Sequence, residues 1–399
     1  MNLLVIFGLM CLQCSEILTR LSIKDMPEEN MNVPEMIRYH GYPCETHNIT
    51  TQDGYILTLH RIPHGREKGE GGGFPTFLQH GFVDSSATWT MNPPSQSLAF
   101  ILADNGFDVW LGNSRGNVYS NKHTHLTTKD DKYWDFSWDE MAKYDLPACV
   151  EYVLNVTEHQ QLHYVGHSQG TTIGFAGFSQ NKVLASKILT FFALAPVATV
   201  QHIKGAIKFL SNFAPFMKKI IDLFGIRDFL PSNAILEFIA QEICGHSHSS
   251  EKVCGNIVFL IAGFDTSNLN DTRLPVYLSH LPSGTSVKDF LHYLQMVKSG
   301  KFIMYDYGST EKNQLNYHQS TPPLYNISSC EVPVAIYSGS QDWLADPEDI
   351  HNSILHFLPN ILSTKNLDSW NHLDFVWGIE ANRFVYTDVV KQMLERTDL

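Results

Sequence analysis

The sequence predicts an α/β fold in which a mostly parallel sheet carries helices on both faces and a helical insertion interrupts the core. Strand-like and helix-like segments alternate from Pro75 to Ala193 and again from Val332, which is typical of a parallel sheet covered by helices. Near Ala198 this alternation gives way to longer segments rich in Phe, Ile and Leu. Hydrophobic residues make up 43% of the 399 and charged residues 17%, so a large buried core is expected.

Residues 1–15 are predicted to be a secretory signal peptide. An apolar stretch from Leu3 to about Leu12 is followed by the small residues Cys14 and Ser15, although the usual preceding positive charge is missing. A buried N-terminal strand or helix is the alternative interpretation. The stretch is too short for a membrane span, and no later one is long enough, so we expect a soluble mature protein.

The core is predicted in two parts, residues 16–198 and 326–399. The first part begins with a hairpin over 45–62, which turns at Asp53-Gly54. The later elements are strands at Pro75–Gln79, Phe107–Leu111, Leu162–Gly166, Ile188–Ala193 and Val332–Tyr337, and helices at Ser97–Asp104, around Asp139–Leu154, from Gln169, from Pro347 and over about 381–394. Residues 199–325 between the two parts are predicted to form the helical insertion.

Charge and cysteine content favour an exported protein that does not bind nucleic acid. The net charge of −13 argues against nucleic acid as a partner, because a polyanion needs a basic face. Cys244 and Cys254 are close enough to form a local disulfide, while zinc bound with the intervening histidines is the less favoured alternative because the spacing matches no standard pattern. Asn48, Asn155, Asn270 and Asn326 each begin a glycosylation sequon. No metal or cofactor is expected.

The segment LHYVGHSQGTTIGF, residues 162–175, carries the strongest chemical signal. A strand, then Gly-x-Ser-x-Gly, then a helix is the context in which a nucleophilic serine occupies a tight, strained turn. Side chains at Gly166 and Gly170 would collide with the strand and helix on either side, and Ser168 would project above the edge of the sheet. The alternative is a glycine-flanked serine in an ordinary turn.

Such a serine needs a base and an orienting acid, which follow it in the order acid, then histidine. Past a late strand, VPVAIYSGSQDWLADPEDI offers three aspartates, of which we choose Asp342; Asp346 precedes Pro347 and is predicted to cap a helix. His372, in the loop SWNHLDFVWG, is the predicted base. His351 and His356 fall inside the helix after Pro347 and are set aside.

The oxyanion of an acyl-transfer intermediate needs two backbone N–H donors. One is predicted at Gln169, directly after the nucleophile. The sequence LQHGF after the strand Pro75–Gln79 indicates the N–H of Phe82 as the other. The alternative is that His80-Gly81 forms a simple turn.

With these residues in place, the chain resembles the acid lipase family of α/β-hydrolases over nearly the whole mature sequence. The resemblance is carried by segments such as TQDGYIL, SLAFILADNGFDVWLGNSRGN, YVGHSQGTTIGF, GTSVKDF, LADPEDI and NHLDFVWG. It implies Ser168 as nucleophile, Asp342 as acid, His372 as base, and Phe82 and Gln169 as oxyanion positions. It also implies a cap with a lid near 225–262 and a cap disulfide at Cys244–Cys254. Phe82 departs from the family's usual leucine.

The leading hypothesis is therefore hydrolysis of esters of water-insoluble lipids, first triacylglycerol and next cholesteryl or other fatty esters. The enzyme would act as a monomer at an oil–water or membrane interface, secreted or in the lysosomal lumen. A thioesterase or peptidase with the same triad is a rival, and so is a lipid carrier that has lost catalysis. The apolar cap argues against the former, and the complete triad argues against the latter.

Overall fold

The computed structural model describes residues 26–67, 72–212, 225–229 and 268–397. Its main sheet has the strand order β1-β2-β4-β3-β6-β7-β10-β11, with the short β5 paired to β2. The strands are β1 Glu45–Thr50, β2 Tyr55–Ile62, β3 Pro75–Gln79, β4 Asp108–Leu111, β5 Lys122–His123, β6 Leu162–His167, β7 Ile188–Leu194, β10 Val334–Gly339 and β11 Ile361–Leu367. A second pair, β8 Asp228–Phe229 and β9 Thr285–Ser286, is antiparallel.

Six consecutive strands, from β4 to β11 in the sheet order, are parallel, while β1 and β2 form an antiparallel hairpin at one edge. Every residue of β3, β4 and β6 is buried, as expected for strands covered on both faces. The carboxyl ends of β6, β10 and β11 lie on the same side of the sheet because these strands run in parallel. Residues that follow them can therefore meet.

Helices connect the parallel strands. They are α1 Val33–Tyr39, α2 Leu98–Asp104, α3 (Trp138–Glu140, a π-helical turn Met141–Asp145, then Leu146–Thr157), α4 Gln169–Gln180, α5 Lys182–Ser186, α6 Gly205–Ser211, α7 Leu274–His280, α8 Val287–Ser299, α9 Thr310–Tyr317, α10 (Pro347–Ile350 and the π turn His351–Leu355), α11 Asp374–Trp377 and α12 (the π turn Asn382–Tyr386 and Thr387–Thr397). Short 3-10 turns lie at Pro27–Asn30, Ser86–Trp89, Pro94–Gln96, Asp131–Trp134, Asp271–Arg273 and Ile327–Ser329.

The α/β-hydrolase fold with a mostly parallel sheet, expected from the sequence, is confirmed. The hairpin, β3 and the start of α4 have the predicted bounds, whereas the strand predicted at Val332–Tyr337 lies two residues later, as β10. Strand β11 was not predicted. Its residues alternate between partly buried and exposed, and its central letters STKN are polar, because it is the last strand at the edge of the sheet.

The proposed insertion, residues 199–325, is described in part. It contributes α6, β8, α7, β9, α8 and α9. The signal peptide at 1–15, both cysteines Cys244 and Cys254, and the lid beyond residue 229 lie outside the described residues, so these stay predictions. Within the described ranges no helix has the length and apolar character needed to cross a bilayer.

Candidate active site

Ser168 occupies a strained turn between β6 and α4. Its backbone angles are φ 52° and ψ −118°, a conformation that L-residues with a side chain rarely adopt. The strand ends one residue before it and the helix begins one residue after it. Ser168 is partly accessible to solvent, although the residues on both sides of it are buried. The turn thus presents a hydroxyl at the carboxyl edge of the sheet.

Two glycines allow this turn to form. A Cβ atom on Gly166 would lie 2.8 Å from the carbonyl carbon of Gly170, and one on Gly170 would lie 2.3 Å from the carbonyl oxygen of Gln79. Both contacts are with backbone, which cannot rotate away as a side chain can. The glycines let α4 begin against β6 and β3, as the sequence predicted.

The structure brings Ser168, His372 and Asp342 into one hydrogen-bonded chain. Nε2 of His372 lies 2.7 Å from Oγ of Ser168, and Nδ1 lies 2.9 Å from Oδ2 of Asp342. A carboxylate can only accept, so Nδ1 carries the proton and Nε2 is free to accept the serine proton. Asp342 is fully buried and His372 almost so.

The two partners follow the ends of adjacent parallel strands. Asp342 comes three residues after β10, and its Oδ1 accepts the N–H groups of Leu344 and Ala345. His372 comes five residues after β11. These backbone donors hold the carboxylate in place next to the imidazole.

The other candidate residues in this region have structural positions. Asp346 caps α10 by accepting the N–H of Glu348 and forms an ion pair with Lys204. Asp349 accepts hydrogen bonds from Thr199 and from the N–H of His202. His351 and His356 are exposed on and after the π turn of α10.

Phe82 and Gln169 place two backbone N–H groups next to Ser168. Among the described residues, neither N–H donates a hydrogen bond. Gly81 brings the loop after β3 close to the turn, because a Cβ on Gly81 would lie 3.2 Å from Cβ of Ser168. Two such donors beside a serine hydroxyl have the arrangement needed to bind an oxyanion.

His80 fixes the direction of one of these donors, a role that the sequence analysis did not identify. Nε2 of His80 accepts the N–H of Ser114 at 3.0 Å, so the proton is on Nδ1, which donates to the carbonyl oxygen of Gly81 at 2.8 Å. That carbonyl belongs to the same peptide group as the N–H of Phe82 and points the opposite way. Burial lowers the pKa of His80 to about 4, which keeps the ring neutral.

His167 supports the predicted base. Its Nε2 donates to the carbonyl oxygen of His372 at 3.0 Å, and the two rings lie 5.0 Å apart. Burial, followed by the neighbouring His372, lowers the pKa of His167 to about 3. The residue stands inside the Gly-x-Ser-x-Gly motif, but its partner lies 205 residues away, so no local pattern indicates the contact.

An aromatic wall, formed by Phe82, Phe229, Phe290 and Tyr293, borders the two donors. The Phe82 ring lies 5.8 Å from that of Phe229 and 5.4 Å from that of Tyr293. Phe229 and Phe290 stack with their centroids 4.2 Å apart. Three members come from β8 and α8 of the proposed insertion, which thus supplies an apolar surface at the site.

The predicted glycosylation residues lie at different depths. Asn48, Asn155 and Asn326 are exposed. Asn270 is partly buried, and its Oδ1 accepts a hydrogen bond from Thr272.

Family models match most of the chain. Residues 33–93 match a partial alpha/beta-hydrolase lipase region, and residues 77–379 match the alpha/beta hydrolase fold. Among solved structures, a soluble variant of monoglyceride lipase from Saccharomyces cerevisiae superposes with a TM-score of 0.52 at 15% identity, covering 89% of this chain and 98% of that one. At that identity the likeness concerns the fold alone.

Curated relatives are much more similar in sequence. Gastric triacylglycerol lipase of Rattus norvegicus is 48% identical over 371 residues, which cover 92% of this chain and 93% of the relative. Lysosomal acid lipase/cholesteryl ester hydrolase of Homo sapiens is 48% identical over 369 residues, 92% of each chain. Lipase member K of Homo sapiens is also 48% identical, over 371 residues and 92% of each chain.

Proposed function

The chain belongs to the acid lipase family of α/β-hydrolases, and from that membership we propose that it hydrolyses triacylglycerol through an acyl-enzyme formed on Ser168. The single observation that carries the proposal is the hydrogen-bonded chain from Ser168 through His372 to Asp342. A nucleophile, a base in the right tautomer and a buried acid are the three groups that acyl transfer needs.

In the proposed reaction, Oγ of Ser168 attacks the ester carbonyl carbon while its proton passes to Nε2 of His372. The negative oxygen of the tetrahedral intermediate accepts hydrogen bonds from the N–H groups of Phe82 and Gln169. When the intermediate collapses, the leaving alcohol takes the proton from Nε2. A water molecule, deprotonated by the same nitrogen, then attacks the carbonyl carbon of the acyl-enzyme. The bond from that carbon to Oγ of Ser168 breaks, Oγ takes the proton back from Nε2, and the fatty acid leaves. Asp342 stabilises the imidazolium in both halves.

The aromatic wall supports a lipid substrate. Phe82 carries one oxyanion donor, and its ring packs against Phe229 and Phe290, so an acyl chain leaving the reacting carbonyl would meet apolar surface. Phe229 lies at the start of the proposed lid, residues 225–262, whose opening at an oil–water or membrane interface would expose that surface.

A cholesteryl ester is the second candidate substrate. It is favoured by the 48% identity to a lysosomal acid lipase/cholesteryl ester hydrolase, which equals the identity to the gastric triacylglycerol lipase of Rattus norvegicus. Overall identity therefore does not separate the two substrates.

Export of the protein as a glycoprotein monomer is part of the proposal. It is supported by the signal-like segment 1–15 and by the exposure of Asn48, Asn155 and Asn326. We propose a disulfide between Cys244 and Cys254, and free thiols at Cys44, Cys149 and Cys330, which are free in the structure. Enzymatic removal of N-glycans from the secreted chain should lower its mass, and non-reducing peptide mapping should recover the Cys244–Cys254 pair.

The testing experiment measures fatty-acid release from emulsified triolein and cholesteryl oleate at about pH 5 and pH 7.5, either side of the ordinary histidine pKa. Wild type is compared with Ser168→Ala and with Ser186→Ala, a matched control at an exposed helix end. We expect Ser168→Ala to lose about four or more orders of magnitude and Ser186→Ala to match wild type. The faster ester identifies the substrate. Binding of both lipids without hydrolysis by wild type would instead support the carrier hypothesis.

A further inference from the structure

Asp289, on the insertion helix α8, is a buried carboxylate that contacts the predicted nucleophile turn. Its Oδ2 accepts hydrogen bonds from Nε2 of Gln169 at 2.8 Å and from Oγ1 of Thr285 at 2.9 Å. Its Oδ1 accepts the N–H of Trp138 at 2.9 Å. The side chain is inaccessible to solvent. One carboxylate thus joins α8, the start of α3 and the start of α4.

Gln169 is the residue whose backbone N–H is proposed to bind the oxyanion. It is the first residue of α4, where the N–H has no partner within the helix. The side chain and the N–H share one Cα atom, so a restraint on the side-chain amide limits rotation of the residue about that atom.

A second contact holds α8 against the same turn of α4. Tyr293, four residues after Asp289 and on the same face of α8, directs its hydroxyl toward Oγ1 of Thr172 at 3.5 Å. The ring of Tyr293 also belongs to the aromatic wall. The helix therefore approaches both sides of the predicted oxyanion site, through Asp289 at Gln169 and through Tyr293 at Phe82.

An ion pair does not account for the carboxylate at position 289. None of the salt bridges among the described residues includes Asp289, and its neighbour Lys288 pairs with Asp135 and Glu140. Burial raises the pKa of Asp289 to about 7, against the opposing effect of the donors on Gln169, Thr285 and Trp138. A buried carboxylate without a cation is unfavourable for folding, so a function of its hydrogen bonds would account for its presence.

We propose that Asp289 is a positioning residue of the oxyanion hole, which holds the side-chain amide of Gln169 and so keeps the backbone N–H of Gln169 directed at the reacting oxygen. The insertion then does more than cover the site, because α8 supplies part of the geometry that stabilises the transition state. This inference rests on the proposed function of Ser168 and Gln169.

The test uses the full-length secreted chain and two soluble substrates, a p-nitrophenyl butyrate and its thiono analogue, in which sulfur replaces the carbonyl oxygen. Sulfur accepts hydrogen bonds poorly, so the oxygen-to-thiono ratio of kcat/KM reports on the oxyanion donors specifically. Titration of Ser168 with a phosphonate ester counts folded sites. Asp289→Ala and Asp289→Asn are compared with Asp139→Asn, a control that changes a partly buried carboxyl of raised pKa, bonded to Tyr325 and to the N–H of Tyr305.

We expect Asp289→Ala to lower kcat for the oxygen ester by about tenfold to a hundredfold, less than the 10²–10³ lost with a whole donor, while KM changes less than twofold. The oxygen-to-thiono ratio should fall with kcat. Asp139→Asn should leave the ratio unchanged. Asp289→Asn should retain most of the oxygen-to-thiono ratio. The side-chain amide of Gln169 can flip, so that its oxygen accepts a hydrogen bond from the new asparagine amide at position 289.

Several results would overturn the proposal. One is an Asp289→Ala enzyme with full phosphonate titration and an unchanged ratio. If Asp289→Ala is not secreted, Gln169→Ala decides, because it removes the same hydrogen bond and keeps the backbone donor; an unchanged ratio there has the same meaning. Failure of the proposed function is distinguishable, because wild type would then show no Ser168-dependent hydrolysis of either ester.

Discussion

Nδ1 of His372 lies 2.9 Å from Oδ2 of Asp342, and both side chains are buried. The carboxylate can only accept, so it holds the imidazole in the tautomer whose Nε2 faces Ser168. The same carboxylate is bonded by two backbone N–H groups, which prevents it from turning away.

Asp342→Asn should lower kcat by about four orders of magnitude, because an amide can donate to Nδ1 and select the wrong tautomer. The measurement is steady-state hydrolysis of a soluble ester. Asp346→Asn is the control, since asparagine caps helices well, and it should stay within about threefold of wild type. A large loss of kcat in Asp346→Asn, together with a small loss of kcat in Asp342→Asn, would mean that the wrong aspartate was chosen as the acid.

His80→Gln and His80→Asn should separate the two hydrogen bonds of that ring. Asparagine can replace Nδ1 and keep the donor to Gly81, whereas glutamine replaces Nε2 and keeps only the acceptor for Ser114. We expect kcat to fall about tenfold or more in His80→Gln and less than about threefold in His80→Asn, with KM unchanged in both. Equal losses in the two variants would contradict the assigned role of the Gly81 carbonyl.

Gly170→Ala should destabilise the protein by about 3 kcal/mol or more, because its Cβ would lie 2.3 Å from the backbone oxygen of Gln79. Gly177→Ala, in the same helix, is the control. Its Cβ would lie 2.8 Å from the end of the Leu146 side chain, which can move, and 3.3 Å from the carbonyl oxygen of Ala142, so we expect a smaller loss of about 1 kcal/mol. Secretion yield and urea midpoints measure both effects, and similar midpoints for the two variants would contradict the prediction.

Asp84→Asn should alter the pH dependence of stability. Burial raises the pKa of Asp84 to about 7, from 3.8 in the unfolded chain, so the native state holds a proton that the unfolded state has lost. The stability contributed by the protonated carboxyl is complete below pH 3.8 and is lost as the pH rises through 7. Relative to wild type, Asp84→Asn should therefore gain roughly 3 to 4 kcal/mol between about pH 4 and pH 8.

Urea unfolding of both proteins at several pH values measures this difference. Comparing the two proteins is necessary because buried histidines act in the opposite direction, losing stability as the pH falls below 6.5. Burial lowers the pKa of His60 and His80 to about 4 and of His163, His167 and His292 to about 3. A difference between the two proteins that does not change with pH would contradict the pKa assigned to Asp84.

The fold was largely predictable because its elements have local signals. Apolar runs bounded by glycine and proline indicated β3 and β6, and the turn at Ser168 followed from its flanking glycines. Strand β11 was missed because an edge strand alternates polar and apolar residues without a long apolar run. The π turns within α3, α10 and α12 also gave no recognisable pattern.

The sequence by itself determined the hydrolase fold, the family and the choice of Ser168, Asp342 and His372, because strand order and motif context restrict where such residues can lie. The tertiary structure decided which other residues hold the predicted site in place. Single hydrogen bonds join His80 to Gly81, His167 to His372 and Asp289 to Gln169, and each role depends on the direction of that bond. The partners of His167 and Asp289 lie 205 and 120 residues away, and such contacts form when parallel strands bring their carboxyl ends together and α8 packs over them.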